Sequence, residues 1–241
     1  MEFRNVYDDR QRAEAYAQLE FPGTYYLAFR DLPDIIFEHV KGRSAMDFGC
    51  GTGRSTRFLK KHGFDVIGVD IAEDMLKKAR ETDPQGDYRL VQEGALDQFQ
   101  SHNCDLVLSA HAFDNIPTLV QKVLICSEIG RVLKSDGRFI NLVASPEIYT
   151  HEWASFTTKD FPDNKTARSG DKVKYVMTDV VDQRPMEDIL WADDAYRDVF
   201  QRAGLEIVKT YKPLAKDTEP FHWINETRIA PWVIYVLKKA G

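Results

Sequence analysis

The chain has 241 residues, enough for a full hydrophobic core in a single α/β domain. Its 32 basic and 38 acidic residues leave a net charge of −6, which argues against a broad phosphate-backbone footprint and so against a nucleic-acid partner. Cys50, Cys104 and Cys126 are widely spaced and form no C-x-x-C pair, so neither a zinc site nor a disulfide framework is expected. No apolar run approaches the roughly 20 residues that span a bilayer, and the start "MEFRNVYDDRQ" lacks the apolar core of a signal peptide. The expectation is a cytoplasmic protein with no membrane partner.

Apolar β-branched runs alternate with segments of helical period, the pattern of a doubly wound α/β sheet. In chain order, 31–40 reads as a helix with Pro33 near its start, and 44–49 as a short buried strand. A helix follows at 54–63, closed by Gly63, then a strand at 65–70 and a helix at 72–81. Strands are expected at 88–94 and 104–110, a long amphipathic helix at 118–134, and a fifth strand at 137–145. The rhythm breaks over 146–190, where "KVKYVMT" and "MEDILW" suggest an antiparallel hairpin inside a late insertion. A helix at 193–204 and strands at 205–213 and 231–239 complete one Rossmann-like domain with a mostly parallel, seven-stranded sheet.

The informative turn is "MDFGCGTGRST", residues 46–56. Glycines between a strand and a helix bring backbone N–H groups and a positive helix end against a ligand. A dinucleotide turn needs G-x-G-x-x-G, and its third glycine would fall at Arg54. The spacing here is instead Gly49, Gly51, Gly53, with Asp47 two residues ahead.

"DFGCGTG" resembles motif I of the class I S-adenosylmethionine-dependent methyltransferases, and the resemblance extends over about residues 40–145. It implies that S-adenosyl-L-methionine is the methyl donor and that Asp47, Gly49, Cys50, Gly51 and Gly53 surround it. Asp70, ending the second strand, takes the place of the acid that binds both ribose hydroxyls, although alone it also reads as a helix cap. Ile71 and Met75 follow it, and Gly94, Ala95 and Leu96 stand where family members flank the adenine. "CDLVLSAHAFDNIP" is similar to the fourth-strand motif, which brings in Ser109. Tyr25 and Arg30 are candidates for the methionine end of the cofactor, by comparison with family members that carry an amino-terminal cover.

The resemblance implies methyl transfer in line to an O, N or C atom of a small-molecule acceptor. It does not name a catalytic residue. His111, His222 and Glu226 are candidates for a base, with His151 in the insertion; each also reads as an ordinary hydrogen-bonded group. Nothing resembles the metal-ligand carboxylates of catechol-type enzymes, so no metal is expected. Two alternatives stay open, a non-catalytic cofactor-binding or regulatory protein and a dinucleotide-dependent oxidoreductase, as does the choice between monomer and homodimer. Residues 1–30 and 146–190 are rich in aromatics, among them Tyr16, Tyr25, Tyr26, Trp153, Phe156 and Tyr175, and are expected to cover the acceptor.

Overall fold

The computed structural model describes residues 22–92 and 95–241. Tyr7, Tyr16 and Gly94 therefore lie outside the described residues. Two short helices, α1 (Gly23–Arg30) and α2 (Leu32–His39), precede β1 (Ser44–Phe48). The alternation then runs through α3 (Arg54–Lys61), β2 (Asp65–Asp70), α4 (Glu73–Thr82), β3 (Asp87–Leu90), β4 (Cys104–Ala110), α5 (Leu119–Val132) and β5 (Leu133–Ala144). After the three short strands β6 (Phe156–Thr157), β7 (Lys172–Met177) and β8 (Met186–Ile189) come α6 (Asp193–Arg202), β9 (Leu205–Tyr211) and β10 (Trp232–Lys239).

Seven strands form one sheet with spatial order β3-β2-β1-β4-β5-β10-β9. Strands β1 to β5 run parallel, and β10 is antiparallel to both of its neighbours. The order reverses between β1 and β4, which makes the carboxyl ends of those two strands the switch point where such sheets bind ligands. Both faces are covered. Leu106, Leu108, Ile140 and Leu142 pack toward α1 and α2, while Met46, Val107, Phe139 and Val143 pack toward α5 and α6. This two-sided burial explains why "VIYV" and "LVL" read as continuous apolar runs rather than as alternation.

Two expected boundaries are corrected. The helix expected over 118–134 ends at Val132, and Leu133 opens β5 with extended backbone, φ −64° and ψ 141°. Neither glycine nor proline marks that change; pairing of Leu133 with Cys104 across the sheet decides it. The strand expected to run to 94 stops at Leu90, because β2 offers no partner beyond Asp70.

The expected hairpin of the insertion is present, with Lys172 opposite Ile189 and Tyr175 opposite Met186, and β6 adds a third strand to it. This small antiparallel sheet packs its β8 against the 3-10 turn Phe113–Asn115 that follows β4. Phe156 of β6 and, from the segment ahead of it, Tyr149 and Trp153 are almost fully buried, each worth roughly 1.5–3 kcal/mol of apolar transfer. Helix α1 is stitched to the same cover: Thr24 N–H donates to Ser155 Oγ at 2.9 Å, and Ser155 N–H donates to Thr24 Oγ1 at 3.1 Å. Gly23 begins α1 at φ +47°, and a Cβ there would sit 2.3 Å from Ser155 Oγ.

Candidate active site

The loop after β1 is shaped by three residues in the left-handed region, Gly49 (φ +73°), Gly51 (φ +52°) and Gly53 (φ +80°). Side chains there would be strained by the backbone and by contact. A Cβ on Gly49 would lie 2.3 Å from Ala112 Cβ, and one on Gly53 would lie 2.5 Å from the Tyr88 hydroxyl. Gly51 faces Met75, whose Cε would be 3.3 Å from an added Cβ.

Two carboxylates organise this loop. Asp70 Oδ2 accepts the Gly51 N–H at 2.7 Å and Oδ1 accepts the Ala72 N–H at 2.9 Å. It therefore ties the residues that lead into α4 to the glycine loop, and its carboxylate keeps acceptor capacity for a hydroxyl donor. Burial raises its pKa above the usual carboxylate range. Asp47 is fully buried; its Oδ2 accepts from Ser55 Oγ at 2.7 Å and Thr56 Oγ1 at 2.6 Å, while Oδ1 has no partner. Burial pushes Asp47 up to about 6. A bare backbone cradle, a carboxylate with spare acceptor capacity and an unsatisfied buried oxygen fit a ligand that carries a ribose diol and an ammonium group.

Across the switch point, His111 leaves β4 with φ +61° and is half-buried, with its Nε2 shielded from solvent. Its ring meets Trp232, Tyr25 and Phe29 at centroid distances of 4.6, 5.6 and 6.2 Å, and its Nε2 has no hydrogen-bond partner. Desolvation, with Arg54 adding repulsion, drives its pKa down to about 3, so the imidazole is neutral at physiological pH. His111 lines a cavity of about 30 Å³ together with Tyr25, Asp114, Phe156, Asp188 and Trp232.

Asp114 accepts the Ala144 N–H at 3.0 Å and the Tyr196 hydroxyl at 3.3 Å. The buried Lys122 ammonium stands beside it, donating to the Phe113 carbonyl and facing the rings of Trp191 and Tyr196. Burial raises the Asp114 pKa and lowers that of Lys122. Asp188, from β8, accepts the Tyr149 hydroxyl at 3.0 Å and is pushed by burial up to about 7.

The other expected residues fall in several places. Tyr25 lies at the cavity, with its hydroxyl 3.9 Å from Met177 Sδ. Arg30 is turned elsewhere, donating to Asp31 at 2.7 and 2.8 Å and to Glu219 at 2.6 Å. Two cations stand at the glycine loop: Arg57 donates to the Thr52 carbonyl at 2.8 Å, and Arg54 lies over the Tyr25 and Phe29 rings at 5.3 and 5.5 Å and acts on both Asp47 and His111. Cys50 is buried and its thiol is pushed far up by desolvation, so it is a filler and not a nucleophile. Met75 and Leu96 are buried, and Ile71 and Ala95 are exposed. Ser109 is fully buried beside Asn141 in the sheet, and neither its Oγ nor the Asn141 amide has a partner.

Of the expected bases, His222 is on the surface and His151 bonds Glu147 and Thr150 locally. Glu226 is a buried clasp: Oε1 accepts from Thr24 Oγ1 and Ala154 N–H, both at 2.7 Å, and Oε2 from Ile224 and Asn225 N–H at 2.8 and 3.0 Å. Those four bonds tie α1, the cover and the loop before β10 together and leave Glu226 no role as a base. Sequence reasoning placed Asp114 only at the end of the fourth-strand motif and did not single out Asp188 or Trp232. A carboxylate within the apolar "MEDILW" strand was the available signal for Asp188.

Residues 46–141 match a family model described as a methyltransferase domain. This domain, the strand order and the glycine loop give the chain the fold of the class I S-adenosylmethionine-dependent methyltransferases. The likeness extends to a solved S-adenosylmethionine-dependent methyltransferase from Clostridium acetobutylicum, with TM-score 0.64 over 98% of this chain and 97% of that one at 13% identity. Among curated relatives, an N-demethylindolmycin N-methyltransferase from Streptomyces griseus is 26% identical over 83% of this chain and 85% of its own length. A ubiquinone biosynthesis O-methyltransferase from Methylococcus capsulatus is 33% identical over 38% of this chain. The chain matches only 40% of that relative's length.

Proposed function

We propose that this protein transfers the methyl group of S-adenosylmethionine to a small-molecule acceptor held between the end of β4, α1 and the three-stranded cover. One observation carries the reading: the glycine loop and the loop of His111 touch through Gly49 and Ala112, so the cofactor cradle and the aromatic cavity share a wall. The relative matched over most of its length is a small-molecule methyltransferase, which supports the same class of acceptor.

In this arrangement Asp70 receives the ribose hydroxyls and Leu96 borders the adenine. Asp47 and Arg54 face the ammonium and carboxylate of the methionine part. The cofactor supplies an electrophilic methyl group when bound. The chain's task is alignment of acceptor atom, methyl carbon and sulfur, and exclusion of water by Tyr25, Phe156 and Trp232. No helix of the described residues is long and apolar enough to cross a membrane, which fits an enzyme that meets its substrates in the cytoplasm.

Calorimetric titration with S-adenosylhomocysteine is expected to show micromolar binding without added metal. Asp70→Ala should weaken that binding by about 1.5–3 kcal/mol, the scale of hydrogen bonds to a charged group. Absence of binding to the intact protein would overturn the reading. Binding without turnover of labelled cofactor across acceptor panels would favour a regulatory role.

A further inference from the structure

We propose that the acceptor presents an amine nitrogen to the His111 cavity and that Asp188 takes the proton this nitrogen must lose. This rests on the methyl-transfer reading above and adds to it the chemical class of the acceptor.

The cavity, about 30 Å³, has room for one small group, so it is a headgroup site and the remainder of the acceptor lies outside it. Its walls combine two features. Tyr25, Phe156 and Trp232 enclose it with rings 5.1 to 5.9 Å apart, a wall that attracts a cation through its π faces. Two carboxyl groups from different elements, Asp114 and Asp188, also line it.

The cations nearby do not balance those carboxyls. Lys122 is set against Asp114, and Asp188 is the weakest of the neighbours acting on it. Arg54 stacks over Tyr25 and Phe29 and is not part of the cavity wall. Around Asp188 stand the Tyr149 and Tyr175 hydroxyls, which donate to it, and the carboxyls of Asp114 and Glu187, so the charges among them are negative. A carboxylate or phenolate acceptor would add a further negative charge to a desolvated acidic site. An ammonium headgroup supplies the missing positive one.

Transfer then balances simply. The ammonium gives one proton to the Asp188 carboxylate and becomes a neutral amine; its lone pair forms the N–C bond as the C–S bond breaks and that electron pair stays on sulfur. The product leaves as a methylated ammonium, and Asp188 returns its proton to water when the cavity opens. An acid titrating near neutrality, as burial makes Asp188, suits that task. Neutral His111 offers Nε2 as a second acceptor for an amine N–H, in the tautomer protonated on Nδ1.

The test uses the protein saturated with S-adenosylhomocysteine and three probes of one shape: benzylamine, benzyl alcohol and benzoate. Calorimetry is expected to show benzylamine binding at least about tenfold tighter than benzyl alcohol, with benzoate not binding, the scale of one charge-assisted contact. Asp188→Asn, with its fold checked by circular dichroism, should erase the tenfold preference and change S-adenosylhomocysteine affinity less than about twofold. Equal affinity for alcohol and amine, tighter binding of benzoate, or no amine binding up to its solubility limit overturns the amine assignment while leaving methyl transfer standing. Failure of S-adenosylhomocysteine itself to bind overturns both. The wild-type probe comparison decides even if the variant does not fold.

Discussion

The cofactor cradle and the acceptor cavity lie on either side of the Gly49–Ala112 contact, and they are built from different materials. The cradle is backbone: three left-handed glycines within five residues, steadied by Asp70 and Asp47. The cavity is side chain: Tyr25, His111, Asp188 and Trp232 come from α1, the end of β4, β8 and the start of β10. A backbone cradle tolerates almost no change, because strain and contact act together at each position. A side-chain cavity can alter its chemistry one residue at a time while the sheet beneath it stays fixed, so under the proposed function the first region sets the donor and the second sets the acceptor.

The largest expected effect breaks the cradle. Gly49→Val places a branched side chain at φ +73° against Ala112, and S-adenosylhomocysteine binding should fall below calorimetric detection. Gly204→Ala separates strain from contact, since it has a similar φ of +71° but nothing within 4 Å. It should cost about 1 kcal/mol in chemical denaturation and leave cofactor affinity unchanged.

Next comes the clasp that holds the cover over the cavity. Glu226→Ala leaves the Ala154, Ile224 and Asn225 N–H groups and the Thr24 hydroxyl without their acceptor. A loss of roughly 3 kcal/mol is expected, read as a melting temperature lower by about 6–12 °C. Stability within 1 kcal/mol of wild type would show that the cover is not tied down by this residue.

A smaller effect sharpens the contrast through pH. The Asp188 value in the folded protein, about 7, lies above its unfolded value, so its contribution to stability is complete below about pH 4 and is lost as pH rises through 7. His111 works in the opposite sense: depressed to about 3, it contributes above about pH 6.5 and loses that contribution as pH falls toward 3. Subtracting the stability of Asp188→Asn from that of wild type at each pH isolates the acid, and the difference should decline between about pH 4 and 7. A flat difference would mean that Asp188 is ionised as readily in the folded chain as in the unfolded one.

The smallest contrast compares two arginines. Arg54→Ala should weaken S-adenosylhomocysteine about tenfold, the low end for one charge-assisted bond, whereas Arg30→Ala should change it less than about twofold. The reverse ranking would return the cofactor's carboxylate to α1.

Sequence alone determined the alternating sheet, the glycine loop and Asp70, because each is local. Apolar period fixes which segments are strands, and left-handed turns need glycine at positions that can be counted along the chain. The antiparallel hairpin of the insertion was legible for the same reason. Tertiary structure alone decided the rest. Arg30 and Arg54 are equally basic in the sequence, and only packing turns the first to Glu219 and sets the second over Tyr25. Glu226 reads as a possible base until the four donors around it are seen. Asp114 and Asp188 stand 74 positions apart in number, and they meet in one cavity because β8 folds back on the turn after β4. Burial then changes what those groups can do: desolvation, which no residue type reveals by itself, keeps His111 neutral and brings Asp188 close to neutral pH.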